Sequence, residues 1–213
     1  MDFRRARSQE QIQDRINEIV SITIELYKKL GYERLTYSEI SKHTDFTRPN
    51  LYKYFKTKEE ILLYAIRDEF EKMVENLEIA FEITKSYTPK DISIVWSETV
   101  CKHDTLLDIY SILYSILEKK VSVEALAKFK KDMIPMQMPL ISLCQRLIPN
   151  ADIGKIENFI FYQMTIAFGL YSATKLNELQ SQAIILSGMA YTPPDFQQTY
   201  QLWLYQGLKD LRE

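Results

Sequence analysis

The sequence predicts an all-α protein. Only five glycines and seven prolines occur in 213 residues, too few for the many tight turns of an all-β fold. Apolar residues recur at spacings of three and four over most of the chain, and no period-two alternation of useful length appears. About nine helices are expected. They divide into an N-terminal three-helix portion with a helix-turn-helix, residues 1–57, and a C-terminal helical portion, residues 58–213.

Residues 9–30 put Ile12, Ile16, Ile19, Val20, Thr23, Leu26, Tyr27 and Leu30 on one helical face. Lys28 and Lys29 fall in the last turn, where the helix dipole favours cations, and Gly31 follows as a C-terminal cap. Thr36 and Glu39 have capping-box spacing and open a short helix to about His43, with Ile40 pointing inward. Asp45 and Phe46 make a turn. Thr47 is the N-cap of a third helix, with Pro49 in the first turn, where its missing N–H costs nothing. Thr57 and Glu60 repeat the capping pattern, and the stripe Leu62, Ala65, Ile66, Met73, Leu77, Ala80 and Phe81 carries a fourth helix to about Thr84.

After a break at Ser86–Pro89, helical pieces are expected near 90–102, 105–118, 122–148, 152–176 and 194–211. Ser122, Asp152 and either Thr192 or Asp195 are the candidate caps. Pro135 and Pro139 should kink or divide the 122–148 piece.

Net charge is only −2, but it is unevenly spread. Residues 1–58 hold 12 Lys and Arg against 8 Asp and Glu, and the remainder holds 15 against 21. A basic front on an acidic body implies that the front meets an anion. Cys101 and Cys144 show no pairing pattern and read as packed thiols in a reducing, cytoplasmic compartment. The N-terminus, MDFRRARSQEQ, has no apolar leader segment. No run of 18 apolar residues predicts a membrane span.

An enzyme reading would start from Cys101-Lys-His103-Asp104, which contains metal-ligand residue types. Cys-x-His alone lacks a second ligand pair at zinc spacing, and the only other histidine is His43. There is no glycine-rich phosphate loop, no Gly-x-Ser-x-Gly and no His-Glu-x-x-His. No catalytic residue, metal or cofactor is expected.

The short helix, turn and short helix over 36–55 have the proportions of a helix-turn-helix. With Leu51 and Phe55 facing inward, Pro49 and Lys53 point outward, and Asn50 and Tyr52 lie on the flanks. The N-terminal end of such a helix enters the major groove. Arg48 can then hold guanine, Asn50 adenine, and Pro49 a thymine methyl, with Thr47 at the same end. Tyr52 and Tyr54 offer hydroxyls to phosphates, and Lys53, Lys56 and Lys58 offer charge. The plain alternative is a set of half-buried surface tyrosines and solvated lysines. The joint occurrence of correct caps and inward anchors favours DNA.

The run "FTRPNLYKYFKTKEEIL", preceded by "IVSITIELYKKLGYERLTYSEISKHTD", resembles the DNA-binding domain of the TetR family of one-component repressors over about 12–62. The resemblance implies that Thr36 and Tyr37 contact the DNA backbone and that Arg48, Pro49 and Asn50 sit in the groove. Tyr52, Tyr54 and Lys58 would hold phosphate. One departure is Asp45, where the family usually has glycine in the turn. Aspartate tolerates the left-handed conformation better than most residues, so a slightly strained turn is expected.

The resemblance also implies a homodimer built from the last two helices and a ligand cavity in the C-terminal part. Those helices are 152–176, with Ile156, Phe159, Ile160, Met164, Ala167 and Tyr171, and 194–211, with Phe196, Tyr200, Trp203, Leu204 and Leu208. Both are apolar over more than one face. Candidate effector contacts are Trp96, Tyr110, Tyr114, Phe129, Met133, Met136, Met138, Gln163 and Phe168, although each alone also reads as ordinary core. Their chemistry suits a small apolar or aromatic effector, with Gln163 or a tyrosine giving direction. The expected protein is a ligand-responsive regulator, a repressor released from palindromic operator DNA by its effector, with the fourth helix coupling the two parts. The alternative is the same DNA-binding fold controlled by a protein partner or lacking an effector.

Overall fold

Ten α-helices and one turn of 3-10 helix make up the regular structure of residues 9–211, which a computed structural model describes; no strand occurs among them. Residues 1–8, with Arg4, Arg5 and Arg7 of the basic front and most of the stretch read for a leader, lie outside the described residues. So do the last two residues. The helices pack as two compact units. One holds the chain up to Asp68 together with Ile112–Lys130, and the other holds Glu69–Ser111 and the chain from Lys131 onward.

The first unit contains α1 (Gln9–Arg34), α2 (Tyr37–Lys42), α3 (Arg48–Leu51) and the start of α4 (Lys58–Ala80). Ile19, Leu35, Ile40, Leu51, Ile61 and Leu62 are fully buried and form its core. Gly31 interrupts α1 with a φ of 75°, a conformation for which glycine bears no side-chain penalty. Thr36 caps α2 by accepting from the Glu39 N–H at 3.2 Å. The Glu39 carboxylate does not complete the box; it turns to Lys42 Nζ at 2.6 Å.

The expected strain at Asp45 is absent. Among the described residues only glycines have positive φ, so the turn is built without a left-handed aspartate. Thr44 does this locally: its hydroxyl donates to the Ile40 carbonyl at 3.2 Å and accepts from the Phe46 N–H at 3.3 Å. A side-chain oxygen thus takes up backbone groups that a left-handed residue would otherwise redirect.

In the second unit, α5 (Pro89–Val100) opens on a complete capping box between Thr88 and Asp91. α6 (Asp104–Ser111) is shorter than the expected 105–118. The chain then passes through turns into the 3-10 turn Leu117–Lys119. α4 ends at Ala80, not at Thr84. α7 (Val123–Leu147) runs through Pro135 and Pro139 as one helix, so the expected division does not occur. Each proline withholds one N–H, leaving the Lys131 and Pro135 carbonyls without that donor.

α8 (Ile153–Thr174) and α10 (Phe196–Asp210) begin on Asp152 and Asp195, each accepting from the N–H three residues on. α10 packs on α5 and α8, and α6 packs on α8. Between them lies α9 (Glu178–Ser187), a tenth helix that the apolar pattern does not announce. It is held by an Asn177–Gln180 capping box and ended by Gly188 at φ 69°, and none of its residues is buried. Without a buried face there is no apolar stripe to read. Both cysteines are free thiols, and burial pushes them up, Cys101 to about 11 and Cys144 to about 12. No helix is long and apolar enough to cross a membrane among the described residues.

Candidate nucleic-acid interface

The α2–turn–α3 segment is anchored by Leu51 and Phe55, both buried. Regular helix covers only Arg48–Leu51, but turn bonds extend it: the Tyr54 and Phe55 N–H groups both reach the Leu51 carbonyl. Thr47, Arg48, Pro49, Tyr52 and Lys53 are exposed, and Asn50 is half-buried. The leading end of α3 therefore projects outward as its helical spacing requires. Thr47 has the extended backbone of an N-cap but makes no side-chain cap bond.

Arg48, Asn50 and the three tyrosines each have a positioning neighbour. The Arg48 guanidinium donates to Ser38 Oγ on α2. Lys53 Nζ donates to Asn50 Oδ1 at 2.9 Å, which leaves the amide N–H groups directed away from that contact. Tyr37 and Tyr52 stack with ring centres 4.6 Å apart. The Tyr37 hydroxyl donates to the Phe55 carbonyl at 2.8 Å. Burial, reinforced by Glu60, Tyr52 and Glu59, holds that phenol far above its ordinary pKa, so it remains a donor. Tyr54 packs edge-on against Phe46 and accepts from Arg15 Nη1 at 3.4 Å. Thr36 is exposed beside Tyr37, at the start of α2.

Lys58 is placed differently from a simple solvated cation. Its Nζ donates to the carbonyls of Tyr32 and Leu35 at 2.7 and 2.8 Å and lies 4.0 Å from the centre of the Tyr32 ring. The Tyr32 hydroxyl in turn donates to the buried Glu59 carboxylate at 2.6 Å. Lys120, from the segment after the 3-10 turn, stands 5.0 Å over the same ring. Burial lowers the Lys58 pKa; Glu59 opposes this and Lys120 adds to it. Sequence reasoning missed Ser38, Tyr32, Glu59 and Lys120, because their partners lie 10 to 27 positions away or further and follow no local period.

Two helices joined by a tight turn, with buried anchors beneath an exposed leading end, constitute a helix-turn-helix. Residues 19–65 match the family described as "Bacterial regulatory proteins, tetR family", and residues 67–208 match "Tetracyclin repressor-like, C-terminal domain". The chain belongs to the TetR family.

TetR-family proteins are transcriptional regulators, not enzymes, and this chain carries their DNA-binding fold. A transcriptional regulator from Rhodococcus sp. Rha1 is similar in fold at a TM-score of 0.54 and 11% identity, over 93% of this chain and 98% of that one. The TetR-family regulator PfmR from Thermus thermophilus gives 0.50 and 16%, over 90% and 97%. No curated protein matches the sequence significantly.

The candidate effector residues of this TetR-family chain fall into separate groups. Trp96, Met133, Gln163 and Phe168 are buried in the second unit, where Tyr110 stacks on Phe168 with centres 3.6 Å apart. Met136 is half-buried and Met138 is exposed. Tyr114, 56% exposed, and the buried Phe129 belong to the first unit.

Trp96 and Gln163 are brought together by Tyr200, whose hydroxyl donates to Gln163 Oε1. The Trp96 indole interacts with the same hydroxyl, but its N–H has no acceptor in hydrogen-bond geometry, and neither has Gln163 Nε2. His103 is also buried; its Nε2 lies 3.1 Å from Asn76 Nδ2. No group of three potential metal ligands occurs among the described residues.

Proposed function

We propose that this TetR-family regulator is a cytoplasmic repressor that binds a near-palindromic operator as a homodimer and leaves it when a small apolar or aromatic effector binds. The observation that carries the reading is the outward presentation of Arg48, Pro49, Asn50, Tyr52 and Lys53 above the buried Leu51 and Phe55. Arg48 and Asn50 read base edges, and Pro49 meets a thymine methyl. Thr36, Thr47, Tyr52, Lys53, Tyr54 and Lys58 fix the protein on the phosphate backbone, and Tyr37, whose hydroxyl is committed to the Phe55 carbonyl, joins them through its backbone N–H at the start of α2. Residues 1–57 form the reading head, and residues 58–213 form the part that responds to effector and dimerises.

The dimer is built from α8 and α10, which leave Phe161, Tyr162, Leu202 and Trp203 exposed on a single chain. Trp96, Tyr110, Met133, Gln163 and Phe168 are the effector contacts proposed in the second unit. α4 starts at Lys58 in the first unit and ends at Ala80 in the second. A change in its seating is thereby transmitted to the reading head, and an effector needs only a few kcal/mol of preference for one seating.

The experiment is selection of genomic fragments by the purified protein at low salt, followed by titration of the enriched duplex at rising salt. An enriched near-palindrome whose affinity falls steeply with salt is the expected result. Return of no enriched sequence refutes the reading.

A further inference from the structure

We propose that α9 is an arm that packs on the second copy of this chain, extending the subunit contact beyond α8 and α10. The proposal rests on the homodimer of the preceding section and adds a third element to it.

The helix has no core of its own. None of its residues is buried, and Leu179, Ile185 and Leu186 are 76, 77 and 88% exposed. Met189 and Tyr191, just past the Gly188 cap, are exposed as well. From Leu179 to Thr192 no residue is charged. A solvated helix carries charged and polar groups on its outward face, whereas apolar side chains depleted of charge mark the centre of a protein contact. A helix of ten residues is also too short to persist in water by propensity alone. The Asn177–Gln180 capping box and Gly188 set where it starts and stops. Burial against another surface supplies the remaining stabilisation.

The root of the arm decides which surface. The chain leaves α8 at Thr174 and enters α10 at Phe196. These two ends are pinned together: Tyr171 packs edge-on against Phe196 with ring centres 5.4 Å apart, and Lys175 Nζ donates to the Tyr171 hydroxyl at 2.6 Å. Phe196 stacks in turn on the buried Tyr200. Residues 175–195 therefore make an excursion rooted between the two helices of the dimer contact.

The stretch of α8 from the exposed Tyr162 to Thr174 is about 18 Å long at 1.5 Å per residue. A standard interface of about 800 Å² per partner has a radius of roughly 16 Å. The arm thus springs from the rim of that contact, and its helix, about 15 Å long, is long enough to cross onto the neighbouring copy. Its own chain leaves it unpacked, and two-fold symmetry gives each copy one arm to receive.

The test compares full-length wild type with the double variant Leu179→Glu, Leu186→Lys. Both leucines are exposed on the single chain, and a glutamate in the first turn and a lysine in the last suit the helix dipole. The substitutions therefore spare the fold and α9 itself. Sedimentation equilibrium should give a dimer dissociation constant at least tenfold higher for the double variant. Amide hydrogen exchange over 178–187, followed by mass spectrometry, should be at least tenfold slower in the wild-type dimer than in the double variant.

Equal dissociation constants overturn the proposal. So does equally fast exchange of α9 in both proteins, since the arm is then solvated in the dimer. Either result, with the wild type dimeric, confines the contact to α8 and α10 and leaves the repressor reading standing. A wild type that stays monomeric at micromolar concentration refutes the dimer of that reading together with the arm.

Discussion

Lys58 Nζ donates to the Tyr32 carbonyl at 2.7 Å while resting 4.0 Å from the centre of the same residue's ring. With its second bond, to Leu35, it gathers carbonyls from the end of α1 that have no further helical donors. One side chain therefore fastens α4 to α1 and has one remaining N–H for a phosphate. Lys58→Ala should lower stability by roughly 1–3 kcal/mol, the scale for losing charge-assisted hydrogen bonds to buried acceptors. It should also weaken binding to all DNA sequences about equally. Urea denaturation and competition binding measure the two effects; an unchanged urea midpoint would show that the carbonyls are satisfied by water.

Asn50 offers a contrast. It is half-buried on the leading face of α3, and its side chain is held by Lys53 alone among the described residues. Asn50→Ala should leave the unfolding free energy from urea denaturation within about 0.5 kcal/mol of wild type, as for surface changes generally. Preference at one base pair per half-site should relax by roughly 1–3 kcal/mol. Sequencing of selected operators reads this directly, and uniform weakening at every position would reassign Asn50 to phosphate contact.

Assembly is best probed at Trp203, which is 56% exposed on α10, and not at Ile160, only 7% exposed on α8. A glutamate at Trp203 meets solvent in the single chain, whereas at Ile160 it enters the chain's own core and unfolds it. Trp203→Glu should therefore give folded monomers by light scattering and abolish operator binding. Two half-sites about 34–36 Å apart require two symmetric heads. Dimeric Trp203→Glu protein at micromolar concentration would move the subunit contact elsewhere.

Stability should depend on pH through His103. The ring is buried, and Asn76 Nδ2 can only donate to Nε2, which requires an unprotonated acceptor. Burial lowers its pKa below 6.5, with Glu69 and Asp104 pulling upward and Lys72 and Lys102 pushing down. Between the folded and unfolded values the unfolded chain binds a proton that the folded chain refuses, so stability rises with pH there. The contribution is complete above the unfolded value near 6.5 and is lost as pH falls from there toward the folded value. Relative to His103→Gln, the wild type should lose stability as pH falls below about 6.5. Parallel pH profiles for the two proteins would remove His103 from the account.

Much of the reading head is legible in the chain because its determinants are local. Thr36 and Thr57 accept from the N–H three residues on, Gly31 takes the positive φ, and Leu51 and Phe55 go inward. Each follows from helical period or cap chemistry within four residues. The Asp45 turn departs from expectation because Thr44, one residue away, supplies the bonds that a left-handed residue would replace.

In the C-terminal part the same reasoning finds α8 and α10 from their apolar stripes but misses α9, which buries nothing. It also groups Tyr114 and Phe129 with Gln163, although they belong to different compact units. Sequence by itself determined the all-α class, the helix-turn-helix and the residues on its outward face, since period, caps and turn chemistry act over one helical turn. Tertiary structure alone decided that Lys58 binds Tyr32 and Leu35, that Ser38 meets Arg48, and that Tyr200 fills one side of the Gln163 amide and leaves the other unpaired. Those pairings join residues on different elements, up to 37 positions apart, and a contact across that distance is set by how helices pack, which no local period encodes.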